Sequence, residues 1–91
     1  SELDQKARRL SVVQPRLTST LLRQTPATVV VIFIVDENGR VQDPKVQRTT
    51  NPSFDRSALT AIKQWKFEPA KVQGRSVSSR LRQSFSFENN T

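Results

Sequence analysis

Chemistry in this chain would have to be done by carboxylates, because it holds neither His nor Cys. That absence removes thiolate nucleophiles, disulfides and the usual zinc ligand sets. An enzyme would then depend on Asp4, Asp36, Asp43, Asp55 and a few Glu residues. Asp36, Glu37 and Asp43 flank a turn sequence, and Asp55 falls in the first turn of an expected helix, where it complements the dipole. Structural roles therefore account for each acid. No catalytic residue, metal or cofactor is expected.

The second chemistry on offer is anion binding. Fifteen Lys and Arg against eight Asp and Glu give a net charge of +7, which attracts nucleic acid, lipid head groups, peptidoglycan or an acidic protein. The basic residues are dispersed, with no run of five or six, as on a solvated surface. Arg80 and Arg82 interleave with Phe85 and Phe87, as in sheets that stack bases on aromatic rings. In a strand, however, these Arg point to one face and both Phe to the other. The rings then belong to the core, which disfavours nucleic acid. Trp65 and Phe67 are also assigned to the core.

The elements that position these residues belong to one small domain. A 91-residue chain can support a single core, and 34% hydrophobic content makes that core thin. No segment nears the roughly 18–20 apolar residues that span a bilayer. A start at Ser1 without Met suggests a piece of a longer protein. Residues 1–14, with Leu3, Ala7 and Leu10 at helical spacing, are expected to be a linker or helical lead-in to a domain over 15–91. Leu17, Leu21 and Leu22 mark the buried stripe of a short helix over Thr18 to Arg23, ended by Pro26.

Ala27 to Val35 is nearly all apolar and β-branched, the pattern of a central strand covered on both faces. Asp36-Glu37-Asn38-Gly39 is a hairpin turn, and Val41 to Arg48 the return strand. Pro44 lacks an N–H and puts that strand at an edge. Asn51-Pro52 reads as a helix cap and first helical residue. The helix that follows carries Phe54, Ala58, Ala61, Ile62 and Trp65 on one face. Pro69 and Gly74 bracket a loop, and Ser76 to Glu88 alternates as a strand. The fold class expected is α+β: a two-layer sandwich of three antiparallel strands in the order return, long, last, with two helices on one face. Its structural core would include Val31, Phe33, Phe54, Ala58, Ile62, Trp65 and Phe67.

Val35-Asp36, Gly39-Arg40-Val41, Phe54-Asp55 with Ala58, and Trp65-Lys66-Phe67-Glu68-Pro69-Ala70 followed by Gly74 form an ordered set. At this spacing the chain resembles, over residues 15–88, the C-terminal domain of TonB-type energy transducers. It departs from that family's pattern in two places. Arg16-Leu17 stands where the family has Tyr-Pro, and Ala27 where it has Gly. Domains of the TolA type share the architecture but lack the Trp-x-Phe-x-Pro signature.

The resemblance implies a periplasmic domain of an inner-membrane-anchored protein in a Gram-negative bacterium. It would bind the N-terminal TonB-box segment of an outer-membrane TonB-dependent transporter, as in siderophore and iron uptake. Force would come from an ExbB/ExbD-type proton-driven motor through a part of the protein outside these residues. The partner would add as a strand along Ser76, Val77, Ser78, Ser79, Arg80, Leu81, Arg82, Gln83, Ser84, Phe85 and Ser86, with Arg80, Arg82 and Gln83 as side-chain contributors. The same edge could pair two copies of the chain in a homodimer. The other readings are a basic module for an anionic polymer, nucleic acid or peptidoglycan, and a TolA-like envelope domain.

Overall fold

The structure, a computed structural model, describes residues 4–89. Its order is β1 (Arg8–Ser11), α1 (Ser19–Leu22), β2 (Ala27–Val35), β3 (Val41–Thr49), a 3-10 turn (Pro52–Phe54), α2 (Asp55–Lys63), β4 (Lys66–Glu68), β5 (Ala70–Val72), β6 (Arg75–Val77) and β7 (Ser79–Phe87). The main sheet runs β3-β2-β7 and is antiparallel throughout. This is the strand order expected from Pro44 and from the apolar long strand.

Pro44 is accommodated by an irregularity. Asp43 takes φ +56°, and the β2–β3 register shifts between Ile32 and Ile34. An edge strand can bulge in this way because only one of its sides is paired.

One face of the sheet carries the core. Ala27, Val29, Val31, Phe33 and Val35 of β2 pack with Phe85 and Phe87 of β7 against Phe54, Ala58 and Ile62. Leu17 and Leu21 are only partly buried against this cluster, so α1 covers the edge of the core and buries no residue fully. Asn51 caps the turn into α2 by accepting the Ser53 N–H, with Pro52 in the first position. Regular helix stops at Lys63, capped at Gln64, so Trp65 leaves the helix instead of closing its stripe.

Four further expectations change. The lead-in is a strand, not a helix: β1 pairs with β4, Arg8 opposite Glu68 and Arg9 opposite Phe67. Leu10 is exposed, and Leu3 lies outside the described residues. The loop bracketed by Pro69 and Gly74 is a hairpin, β5–β6, closed by Gln73 and Gly74 with φ +50° and +76°. Two consecutive positive φ angles are the type I′ geometry that matches strand twist.

The last strand begins at Ser79. Ser76 and Val77 belong to β6 and pair with Lys71 and Ala70, Ser78 lies between strands, and Glu88 follows the end of β7. Finally, β2 is covered by helix on one face only. Val30 is buried, but Ile32 and Ile34 are half-exposed on the other. Its uninterrupted apolar run arises without a second helical layer.

The turn ties the ordered set of motifs together. Asp36 Oδ1 accepts the Asn38 and Arg40 N–H groups at 2.9 Å, and Oδ2 accepts the Gln42 amide. Gly39, at φ +81°, is buried, and its carbonyl accepts the Phe67 N–H at 2.9 Å. A Cβ there would stand 2.0 Å from the Phe67 carbonyl oxygen. The Trp65-to-Phe67 stretch therefore needs a glycine in the distant hairpin. That contact gives the physical reason for the spacing.

Candidate functional site: the free edge of β7

The direction of each main-chain group on β7 follows from β2. The Thr50 N–H donates to the Thr28 carbonyl at 3.0 Å and the Thr28 N–H to Thr50 Oγ1 at 2.9 Å, so Thr28 faces the β3 side. At the other end, the Asp36 N–H donates to the Arg40 carbonyl, also on the β3 side. Even-numbered residues of β2 thus bond to β3 and odd-numbered ones to β7. Val35 opposite Ser79, Phe33 opposite Leu81, Val31 opposite Gln83 and Val29 opposite Phe85 are then the hydrogen-bonded pairs. The N–H and C=O groups of Arg80, Arg82, Ser84 and Ser86 point out of the sheet.

No strand covers that side of β7 among the described residues. The Ser84 carbonyl is met only by the Gln83 side chain, at 2.8 Å. Side chains on β7 alternate as the pattern required. Phe85 and Phe87 are buried, Leu81 half-buried, and Arg80, Arg82, Ser84 and Ser86 exposed.

The half of this edge nearer the C-terminus opens into a groove of about 430 Å³. One wall is Gln83 to Glu88; the other is Val12, Gln14, Pro15 and Leu17, with Arg9 and Trp65 also lining it. Trp65 is 5% exposed and packs edge-on against Phe85 at 5.6 Å between ring centres. Its indole N–H donates to the Val13 carbonyl at 2.9 Å, and the Arg9 guanidinium lies 5.9 Å from its ring centre. Trp65 therefore supports the edge and also contributes to the groove beside it.

The residues at 9–17 were not legible as part of a site. The one signal was the indole N–H, which requires a partner when buried. A second cavity, about 620 Å³, lies between the 13–21 segment and α2; Arg16 and Arg56 line it with Ser, Thr and Gln side chains and no acid.

Of the residues expected to contact a partner, Ser79, Arg80, Leu81, Arg82, Gln83, Ser84, Phe85 and Ser86 form one continuous edge strand. Ser76, Val77 and Ser78 lie outside it. Val31, Phe33, Phe54, Ala58, Ile62, Trp65 and Phe67 are all buried beneath the sheet or around its margin. Among the described residues no cluster of acids could hold a metal ion, and no helix is long and apolar enough to cross a membrane.

The solution structure of the Pseudomonas aeruginosa TonB C-terminal domain superimposes with a TM-score of 0.79 at 24% identity, covering 100% of this chain and 98% of that one. The fold is the same. Protein TonB from two strains of Xanthomonas campestris pv. campestris, B100 and ATCC 33913, is 35% identical over 60 residues, which is 65% of this chain. The chain spans 27% of the length of those relatives. The profile of the family described as Gram-negative bacterial TonB protein C-terminal matches residues 21–88, from α1 to the end of β7. By that match the chain belongs to the TonB C-terminal domain family.

Proposed function

We propose that this domain is the periplasmic, partner-gripping end of a TonB-like energy transducer, and that it takes the extended N-terminal segment of an outer-membrane transporter as a further strand along β7. The observation that carries this reading is the row of outward N–H and C=O groups on Arg80, Arg82, Ser84 and Ser86. These offer up to eight main-chain hydrogen bonds for affinity, and the side chains that alternate along the edge supply selectivity. At about 0.5–1.5 kcal/mol net each, a few such bonds suffice for a reversible grip.

A load on the added strand passes to β7 and then, through nine consecutive residue pairs, to the central strand β2. An inner-membrane anchor and an ExbB/ExbD-type motor would supply that load through parts of the protein beyond this chain. The side chains of Arg80 and Arg82 favour an acidic segment. The burial of both Phe85 and Phe87 counts against base stacking on this strand.

Titration of labelled extended peptides and of single-stranded DNA at two salt concentrations tests the reading. Saturable, sequence-selective peptide binding with modest salt dependence is expected. Binding that ignores peptide sequence and falls steeply with salt would instead identify a module for anionic polymers.

A further inference from the structure

The face of the sheet opposite the helices presents a patterned arrangement of exposed side chains. Three successive rows cross it: Ser84–Val30–Arg48, Arg82–Ile32–Lys45 and Arg80–Ile34–Gln42. The central column is apolar and incompletely covered, with Ile32 and Ile34 half-exposed. The flanking columns supply Arg80 and Arg82 on one side and Lys45 and Arg48 on the other, all four exposed. Among the described residues, none of these cations pairs with a carboxylate. A depression of about 160 Å³ lies over Ile32 and Ile34 between Lys45 and Arg80; Asp43 is the single acid at its margin.

The shape selects among anionic partners. The cation columns stand two strand spacings apart, roughly 10 Å. That separation matches an α-helix with its side chains, about 10 Å across. Arg and Lys are longer than Ile, so the apolar column is the floor of a channel with charged walls. A flat lipid surface would meet the cations before the floor. A second copy of the chain would bring like charges together. A rod with an apolar stripe and acids on both flanks satisfies the floor and both walls at once.

We infer that this open face docks an acidic amphipathic helix of a partner protein, laid along β2 with its apolar stripe over Ile32 and Ile34. This surface is distinct from the β7 edge, although Arg80 and Arg82 border both.

The test uses the whole chain and a labelled, designed helix of about four turns with a Leu stripe flanked by Glu. Saturable binding is expected, with amide shift changes centred on Ile32 and Ile34. Lys45→Glu combined with Arg48→Glu should weaken that binding at least about tenfold, since attraction becomes repulsion at two exposed positions. Both residues are on β3, so the same variant should leave peptide affinity at the β7 edge unchanged. A folded variant that binds the helix as well as the parent overturns the inference, as do shift changes centred on α2. It is equally overturned if phosphatidylglycerol vesicles bind in a Lys45- and Arg48-dependent manner while the helix does not.

Discussion

Proline substitution along β7 separates main-chain pairing from every other contact at the proposed grip. Ser84 and Ser86 are exposed and their N–H groups point away from β2, so proline there removes no bond of the sheet itself. It deletes one donor to an added strand and places a ring where that strand must approach. One net hydrogen bond of about 0.5–1.5 kcal/mol corresponds to a loss of roughly 2- to 12-fold in affinity. Ser84→Pro with Ser86→Pro, if the two losses add, should cost roughly 5- to 150-fold. Gln83→Pro is the opposite case: its N–H bonds to Val31 in the middle of the sheet, so the fold itself should weaken. Arg80→Ala removes an exposed charge only and should cost about 1 kcal/mol or less. Fluorescence anisotropy with a labelled transporter-type peptide measures the affinities, and far-UV circular dichroism checks the fold. Unchanged peptide affinity in folded Ser84→Pro and Ser86→Pro would refute strand addition at this edge.

Gly39→Ala should destabilise by more than about 3 kcal/mol in urea, because a Cβ 2.0 Å from the Phe67 carbonyl cannot be relieved by a side-chain rotation. Gly74→Ala meets no atom within 4 Å and should cost only the positive-φ penalty, roughly 1–2 kcal/mol; equal costs at the two sites would contradict the contact. The Arg40 N–H and the Gln42 amide hold the Asp36 carboxyl below the usual carboxylate range, and the Arg8 guanidinium does the same for Glu68. Both groups are lowered in the folded state, so their stabilisation is complete above the ordinary carboxylate range and is lost as pH falls through it towards the lowered values. Asp36→Asn keeps the acceptor oxygen but not the titration, and its stability should vary less with pH over that interval; a profile superimposable on the parent's would remove Asp36 from the account. The free β7 edge should also pair two copies at high concentration, seen as a rising sedimentation coefficient from micromolar to millimolar protein, and one unchanging species would argue against it.

What the sequence revealed follows the range of each interaction. Pro44 and the run Ala27 to Val35 determined strand order because proline's missing N–H and the demand for apolar burial are properties of single residues. The alternation of β7 was equally legible, and it assigned Phe85 and Phe87 to the core. The lead-in misled because Ala7 and Leu10 have helical spacing by chance. Residues 8–11 are extended through pairing with Lys66–Glu68, about 60 positions away, with the Arg8–Glu68 ion pair at 2.6 Å. No local pattern encodes that partner. The same limit hid the groove beside β7, whose second wall comes from Val12 to Leu17. Ser76 and Val77 alternate in phase with β7, yet the I′ turn at Gln73-Gly74 folds them back onto Lys71 and Ala70. Turn chemistry decided the start of that strand and periodicity could not.

One residue parity organises both proposed surfaces. On β7, the residues whose main chain faces the free edge are Arg80, Arg82, Ser84 and Ser86, and their side chains project onto the open face of the sheet. Arg80 and Arg82 each contribute backbone to the edge and a side chain to the channel over Ile32 and Ile34. A charge substitution at Arg80 or Arg82 therefore perturbs both surfaces and cannot separate them. Proline at Ser84 or Ser86 acts on the edge, where the side chains are small. Lys45 and Arg48 act on the channel, because β3 lies across β2 from the edge. A ligand strand on β7 would also extend the sheet by one strand spacing, about 4.8 Å, beside the Arg80 and Arg82 column. That column would then be flanked by β2 on one side and the ligand strand on the other. Acidic side chains of the ligand that face the channel would reach Arg80 and Arg82 and compete with a docked helix for them. If both partners bind, occupancy of the edge should weaken the helix by an amount that depends on ligand acidity, and the weakening must be reciprocal.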